Sequence, residues 1–174
     1  MDLKEFQELS VRTAPFNAAP SNFIEYQNIL GNYSMGLVGE YFEYLVALDN
    51  YDVNMKESSI NEIFKEAGDV LHYAVNLLTI MEHDIDLKKL NSIGPQNLEK
   101  HLANILEIPK KHIYHGHKMN KKDFIDSIYV IIASLNGSYP LKFSEILKMN
   151  IDKLKKRYPE KFTSEASIAR VDEK

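Results

Sequence analysis

Residues 36–45 read Gly-Leu-Val-Gly-Glu-Tyr-Phe-Glu-Tyr-Leu, and residues 66–71 read Glu-Ala-Gly-Asp-Val-Leu. Each stretch places two acidic residues three positions apart among apolar neighbours. On a helix, this i,i+3 spacing directs both carboxylates from the same face. Both stretches are therefore predicted to lie on long amphipathic helices that face one core.

A helical period extends along the chain on both sides of these stretches. Helices are predicted over residues 3–13, 23–48, 60–83, 95–106, 121–135 and 144–157, with an interruption near Gly31 and a cap at Ser58 or Ser59. Loops are predicted at Pro15, Asn17 and Pro20, over residues 49–58, and at Gly137 and Pro140, and Pro159 ends the last helix. No convincing strand alternation appears. The predicted fold is all-α, an antiparallel helical bundle.

Length and composition predict one compact domain, because 174 residues, 44% of them hydrophobic, can bury one sizeable core. The formal net charge is −4 and the basic residues are dispersed, which argues against binding of a nucleic-acid polymer. Cysteine is absent, which excludes disulfides, zinc-thiolate sites and thiol nucleophiles. The polar N-terminus and the lack of a long apolar run predict a cytoplasmic protein that does not enter a membrane.

The acidic residues Glu40, Glu43, Glu66 and Asp69 predict a metal site. Four carboxylates in a partly apolar cleft repel one another and take up protons unless a cation neutralises them. Oxygen-only ligands suit Mg²⁺, with Mn²⁺ as the alternative. The competing interpretation is that these acids are ordinary solvated residues of helix surfaces, but their apolar neighbours favour the metal site.

An internal repeat is indicated because Leu-Lys-Lys-Leu-Asn at 87–91 resembles Ile-Leu-Lys-Met-Asn at 146–150. The chain is predicted to be one all-α domain with a degenerate duplication. Residues 1–91 form the repeat that carries the acidic site, residues 92–159 form the second repeat, and residues 160–174 are a polar tail, loosely held from Thr163 onwards.

The second repeat differs in charge from the first. Residues 110–117, Lys-Lys-His-Ile-Tyr-His-Gly-His, are basic. Residues such as His101 and Asn104 stand where carboxylates are expected, with Asp123 and Asp126 as a remnant. One repeat therefore looks suited to cations and the other to anions.

A third motif, Asn-x-x-Lys-Leu-x-x-Arg-Tyr-Pro-x-x-Phe, follows at residues 150–162. Together with the acidic motifs at 36–43 and 66–69, it resembles the MazG-like nucleoside triphosphate pyrophosphohydrolases of the all-α superfamily that includes the dimeric dUTPases. The resemblance spans nearly the whole chain. It implies Mg²⁺-dependent cleavage of a nucleoside triphosphate between the α and β phosphates. The basic stretch at 110–117, which usually lies between the two acidic motifs, fits a fused pseudo-dimer in which one active site survives.

On this resemblance, Glu40, Glu43, Glu66 and Asp69 would hold magnesium. A second metal ion or an unligated glutamate, Glu40 or Glu43, would orient and deprotonate the attacking water.

Cationic, amide and aromatic side chains would bind the rest of the substrate. Lys153 and Arg157, four residues apart on one helix face, and the linker residues Lys110 and Lys111 could meet phosphate oxygens or simply be solvated. Asn91 and Asn150 occupy matching repeat positions and are candidate ligands for phosphate or sugar. Tyr73, one turn beyond Asp69, could border the nucleobase or be a core tyrosine.

Three functions of different class remain open. The first is a hydrolase that removes unwanted or deoxy triphosphates from the nucleotide pool. The second is a nucleotide-binding or regulatory protein that has lost turnover, and the third is a bundle that acts through protein contacts. Pairing of two copies into a homodimer through an exposed apolar helix face also stays open.

Overall fold

In a computed structural model of the chain, the described residues are 1–14, 20, 22–54, 57–135 and 142–173. They form eight α-helices and two 3₁₀-helices, and no strand occurs among them. The α-helices are α1 (Leu3–Ser10), α2 (Phe23–Asn54), α3 (Glu57–Ile80), α4 (Leu87–Asn91), α5 (Leu98–His115), α6 (Lys121–Leu135), α7 (Phe143–Arg157) and α8 (Ser164–Ala169). The 3₁₀-helices are Val11–Thr13 and Val171–Glu173. The all-α prediction is confirmed.

The central element is α3, which packs against α1, α2, α6 and α7. Eight of its apolar side chains are no more than 2% exposed, namely Ile63, Ala67, Val70, Leu71, Ala74, Val75, Leu77 and Leu78. A helix that is apolar on most of its circumference is stable only when neighbouring helices cover it. The position of α3 in the middle of the bundle follows from this composition.

The helices α2 and α3 run antiparallel, since later residues of α2 meet earlier residues of α3. The rings of Tyr33 and Tyr73 have centroids 5.2 Å apart, whereas Glu43 lies beside Glu66. α5 packs against α2 and α6, so that α2, α3, α5 and α6 form a bundle, while α1 and α7 pack on α3. The predicted bundle architecture is confirmed.

Several helix boundaries differ from the prediction. α2 passes Gly31 without a break and continues to Asn54, through the first part of the predicted turn. Tyr51 packs against the core there, and this tertiary contact outweighs the weak helix preference of the polar residues around it. α3 begins at Glu57, so Ser59 lies inside the helix rather than at its cap. The side chain of Ser58 and residues 15, 17, 137 and 140 lie outside the described residues.

The largest departure is α5, predicted to end at residue 106 but continuing to residue 115. The side chain of Asn97 caps its start, and Gly116, with φ +66°, ends it in the left-handed conformation that glycine adopts most readily. Pro109 lies inside the helix and is buried. Most of the basic stretch is therefore helical, and the prediction of a linker there is wrong.

The second half contains a neutral cluster of side chains between α5 and α6. His101 Nδ1 lies 3.0 Å from Ser127 Oγ, and Asn104 Nδ2 donates to the same oxygen over 3.2 Å. Asp126 forms ion pairs with Lys89 and Lys122. Polar side chains thus bridge this helix pair, no group of three carboxylates forms there among the described residues, and the duplication itself stays a prediction.

Apolar side chains on α2 include Met35, Phe42 and Val46, which are 55–63% exposed and share one helix face. Pairing of two copies through this face stays a prediction. Among the helices of the described residues, none combines the length and the apolarity needed to cross a membrane.

Candidate metal centre and anion-binding cleft

Three carboxylates converge between α2 and α3. One oxygen each from Glu40, Glu43 and Glu66 lies within 4.8 Å of the other two. Glu66 is only 4% exposed, Glu40 is partly buried, and Glu43 is exposed. The i,i+3 spacing on α2 and the antiparallel α3 together bring these oxygens to one place. They line a cleft of about 340 Å³.

The neighbouring carboxylates repel the carboxylate of Glu40. Burial, followed by the negative charges of Asp69, Glu43 and Glu66, raises the pKa of Glu40 from 4.5 to about 7, and Lys153 opposes the rise. A cation bound among these oxygens would remove the repulsion. Three carboxylate groups are a donor set that suits Mg²⁺, so the residues fit the metal that the sequence predicts.

Glu66 is buried and has a cationic neighbour. Burial raises the pKa of Glu66, while Lys65, which donates to Glu66 Oε1 over 3.0 Å, opposes the rise. Lys65 also donates to Glu62 Oε1 over 3.1 Å. A lysine therefore already neutralises part of the negative charge on the α3 side of the cluster.

Asp69, the fourth predicted ligand, lines the same cleft, but residues of α7 engage its carboxylate. Lys153 donates to both carboxylate oxygens, with Nζ 2.5 Å from Oδ2, and Asn150 Nδ2 donates to Oδ1 over 2.8 Å. Gly68 allows α7 to come this close, since a Cβ atom there would lie 3.0 Å from Asn150 Cβ. Lys153 thus serves as the counter-ion of Asp69, while Asn150 positions this carboxylate.

Three rings, those of Tyr33, His72 and Tyr73, line the cleft together. The Tyr73 ring lies 5.2 Å from that of Tyr33 and 5.6 Å from that of His72, between centroids. Gly36 makes room for Tyr73, because a Cβ atom on Gly36 would lie 2.3 Å from Tyr73 Cε1. Burial, followed by the charges of Glu40 and Asp69, raises the pKa of Tyr73 to about 12, so its hydroxyl stays protonated at neutral pH.

His72 belongs to a hydrogen-bonded group beneath this cleft. Its Nδ1 lies 2.8 Å from Ser10 Oγ, and Asn76 Nδ2 donates to the same hydroxyl oxygen over 2.7 Å. Burial lowers the pKa of His72 to about 4, although the charge of Asp69 opposes the shift. The imidazole is therefore neutral at physiological pH, and its contacts join α1 to α3.

Four cationic side chains line the cleft, namely Lys65, Lys153, Arg157 and Arg170. Arg157 binds the carboxylate of Asp172 through two hydrogen bonds, Nε–Oδ1 at 2.5 Å and Nη2–Oδ2 at 2.6 Å. The cleft therefore combines clustered carboxylates, which suit a metal ion, with lysine and arginine side chains, which suit phosphate oxygens.

Four predicted substrate-binding residues, Asn91, Lys110, Lys111 and Asn150, are not among those that line the cleft. Asn150 is buried and donates to Asp69 instead. Asn91 is exposed at the end of α4. Lys110 and Lys111 are exposed on α5 and form ion pairs with Glu107 one turn away. These lysines lie on α5, outside the residues that line the cleft, and their part in substrate binding stays a prediction.

The cleft is also lined by ten residues that were not predicted from the sequence to belong to a site: Thr13, Asn32, Tyr33, Lys65, His72, Leu154, Tyr158, Phe162, Ser167 and Arg170. Tyr33 could have been found, since it lies two helical turns before Glu40 on the same face. Tyr158 and Phe162 belong to the third motif. Ser167 and Arg170 carry no such signal, because they lie in the polar tail.

Comparison of the chain with protein-family models, curated proteins and solved structures gives no match. The resemblance to the MazG-like enzymes therefore depends on the three motifs alone, and membership of that family stays a prediction.

Proposed function

We propose that this chain is a Mg²⁺-dependent nucleoside triphosphate pyrophosphohydrolase, which cleaves between the α and β phosphates and releases pyrophosphate. It would remove unwanted or deoxy triphosphates from the cytoplasmic nucleotide pool. The observation that carries the proposal is the convergence of Glu40, Glu43 and Glu66 within 4.8 Å, in a cleft that Lys153 and Arg157 also line.

Glu40, Glu43 and Glu66 would hold the magnesium ion, with Asp69 next to them as the fourth predicted carboxylate. A bound Mg²⁺ supplies positive charge that neutralises phosphate oxygens as the leaving group departs. The three glutamates would hold this charge between α2 and α3. Buried apolar contacts keep the two helices in place there.

Glu40 is the residue best suited to accept a proton from water. Burial and the neighbouring negative charges raise the pKa of Glu40 to about 7 in the metal-free protein, and a bound ion would lower it again, so Glu40 would accept the proton through a carboxylate oxygen that does not bind the metal. The proton moves from the water to Glu40 Oε, the water oxygen bonds to the α phosphorus, and the bond to pyrophosphate breaks. Glu43, which is more exposed, would then serve only as a metal ligand.

Lys153 and Arg157 would bind phosphate oxygens from α7. Their existing partners, Asp69 and Asp172, hold both side chains in place before the substrate arrives. Preorganised cations of this kind contribute more than mobile ones, because little rotamer freedom is lost on binding. Tyr73, with Tyr33 beside it, would border the nucleoside.

One observation favours a second candidate function, a nucleotide-binding or regulatory protein without turnover. Asp69 is engaged by Lys153 and Asn150, so the metal site could lack its fourth carboxylate. Such a protein would bind nucleotide through the same cations and rings. Turnover separates this candidate from the proposed hydrolase.

The decisive experiment is a panel of canonical and modified nucleoside triphosphates assayed with Mg²⁺ for separate release of pyrophosphate and orthophosphate. We expect pyrophosphate and monophosphate from at least one triphosphate, and loss of release when Mg²⁺ is chelated. Glu43→Gln and Glu66→Gln should each lower kcat by about a hundredfold or more, since each removes a charged ligand. Glu99→Gln, an exposed change on α5, is the matched control and should leave kcat unchanged.

Other outcomes would favour the alternatives. Thermal stabilisation by nucleotide without any product would support the regulatory protein. Orthophosphate as the sole product would contradict cleavage between the α and β phosphates. The absence of any response to nucleotide would leave a bundle that acts through protein contacts.

A further inference from the structure

The C-terminal segment Thr163–Glu173 borders the same cleft as the carboxylates. Ser167 and Arg170 are among the residues that line it. Ser167 lies in α8, and Arg170 is the residue that directly follows this helix. The predicted loosely held tail is therefore part of the cleft in the structure.

A buried ion pair holds this segment against α7. Arg157 binds Asp172 through Nε and Nη2, and the side chains of Arg157 and Asp172 are 13% and 1% exposed. The 3₁₀-helix Val171–Glu173 packs on α7. Paired, bidentate contacts of this type are the strong ones among protein hydrogen bonds and also set orientation. The segment is thus fixed to the helix that carries Lys153.

Arg170 has an unusual backbone conformation next to this pair. Its φ is +42°, in the left-handed region that residues other than glycine seldom adopt, and its N–H donates to the carbonyl of Ala166 over 3.3 Å. A left-handed residue directly after the last helical residue is a common way for a helix to end. Here it makes the turn between α8 and the 3₁₀-helix, at the edge of the cleft.

We propose that Arg170 and Ser167 bind phosphate oxygens of the substrate, and that the Asp172–Arg157 pair positions the segment for this contact. The inference deepens the proposed function and depends on it, because the anion in question is the triphosphate chain. An arginine guanidinium remains charged at every physiological pH and matches phosphate geometry with two parallel hydrogen bonds. A serine hydroxyl one turn away can donate a further hydrogen bond.

The test uses inorganic tripolyphosphate, which has no base or sugar, as the probe in calorimetric titrations of the full chain with Mg²⁺. Arg170→Ala should weaken binding about tenfold or more, as expected for loss of a charge-assisted contact, and Arg170→Lys should restore part of it. Ser167→Ala should have a smaller effect, about two- to fivefold. Lys156→Ala removes an exposed positive charge from α7 and is the matched control, expected to bind as the unmodified chain does.

Asp172 is a positioning residue, and its test needs a second readout. Asp172→Asn should weaken tripolyphosphate binding and also expose the bonds of residues 163–173 to limited proteolysis. Arg170→Ala should weaken binding without the change in proteolysis. Circular dichroism of each variant checks that the bundle is still folded.

The outcomes separate this inference from the proposed function. If the unmodified chain releases pyrophosphate and Arg170→Ala matches Lys156→Ala in tripolyphosphate affinity and in KM, only the inference about the segment is overturned. If the unmodified chain neither binds tripolyphosphate nor hydrolyses any triphosphate, both are overturned. Unchanged proteolysis of Asp172→Asn would overturn the positioning role of the ion pair.

Discussion

Lys153 on α7 donates to both carboxylate oxygens of Asp69 on α3. The side chains are 17% and 18% exposed, so the pair is largely shielded from water. Lys153 also lowers the pKa of Glu40, whose carboxylate belongs to the neighbouring cluster. A single ammonium group therefore offsets negative charge where a metal ion is proposed to bind, and it is also proposed to bind phosphate.

Replacement of Lys153 by Met should change affinity for metal and for nucleotide in opposite directions. Removing the ammonium takes away the cation that pairs with Asp69 and increases the negative potential at Glu40, so the affinity for Mg²⁺ or Mn²⁺ should rise about fivefold. The same change removes a phosphate contact, so KM for a triphosphate should rise about tenfold. Calorimetric titration with Mn²⁺ and steady-state kinetics measure the two effects.

Lys156→Met is the control for this experiment, because Lys156 is exposed on the same helix and does not line the cleft. It should change neither constant. A Lys153→Met variant with unchanged affinity for Mn²⁺ would show that the Lys153–Asp69 pair does not compete with a metal ion.

Glu40 predicts how the stability of the metal-free protein depends on pH. The pKa of Glu40 is about 7 in the folded protein and 4.5 in the unfolded chain. Between these pH values the folded state therefore binds more protons than the unfolded state. The free energy of unfolding should therefore fall as pH rises from 4.5 to about 7. Because Glu40 is only partly buried and water screens its charge, we expect a contribution of about 1–2 kcal/mol. Urea unfolding at several pH values should show this fall in the free energy of unfolding in the unmodified chain. The fall should be lost in Glu40→Gln.

The protonation of Glu40 should also determine how strongly Mg²⁺ stabilises the protein. Above pH 7, Glu40 is charged without a bound proton, so the ion no longer competes with that proton. The rise in Tm on adding Mg²⁺ should be larger at pH 8 than at pH 5.5. An equal rise at both pH values, or the same pH dependence in Glu40→Gln, would contradict the role of Glu40 in metal binding.

For His72, the expected change of the free energy of unfolding with pH has the opposite sign. The pKa of His72 is about 4 in the folded protein and 6.5 in the unfolded chain. Between these pH values the unfolded chain therefore binds more protons than the folded protein. Stability contributed by the neutral imidazole should be lost as pH falls from 6.5 towards 4. In the unmodified chain, the pH-dependent contribution of His72 to the free energy of unfolding partly cancels that of Glu40. In Glu40→Gln, the rise of stability with pH should become visible. His72→Gln in the same series should remove that rise, and a rise that persists would show that other groups cause it.

The sequence was sufficient for the fold class and for much of the carboxylate cluster. Helical periodicity is a local property, and the i,i+3 spacing of Glu40 and Glu43 determines their shared face once α2 is helical. Their meeting with Glu66 then requires only that the two helices pack side by side. These relationships involve short distances along the chain or a single helix pair.

The remaining features depend on contacts that local patterns do not encode. Asp69 pairs with a lysine 84 residues further along, and Arg157 pairs with Asp172 in a polar tail. α5 continues past residue 106 and through the buried Pro109, because burial of side chains in the core supports this part of the helix. Arg170 was missed for the same reason, since nothing within the tail predicts its position at the cleft.

Two glycines of α2 provide a matched test of how Tyr73 is positioned. A Cβ atom on Gly36 would lie 2.3 Å from Cε1 of the Tyr73 ring, whereas one on Gly39 would meet no atom of the described residues within 4 Å. Gly39→Ala should stabilise the chain by about 0.5–1 kcal/mol, because alanine favours a helix more than glycine does. Gly36→Ala should destabilise it by about 1–3 kcal/mol, because the clash outweighs this preference.

The same pair of variants tests the nucleoside contact proposed for Tyr73. In Gly36→Ala the ring must move, so KM for a triphosphate should rise, while affinity for inorganic tripolyphosphate, which has no base, should remain close to that of the unmodified chain. Gly39→Ala should change neither value. Urea unfolding, steady-state kinetics and calorimetry measure the three quantities. Equal losses of triphosphate and tripolyphosphate affinity in Gly36→Ala would place the disturbance at the phosphate-binding residues and would contradict a role for Tyr73 beside the base.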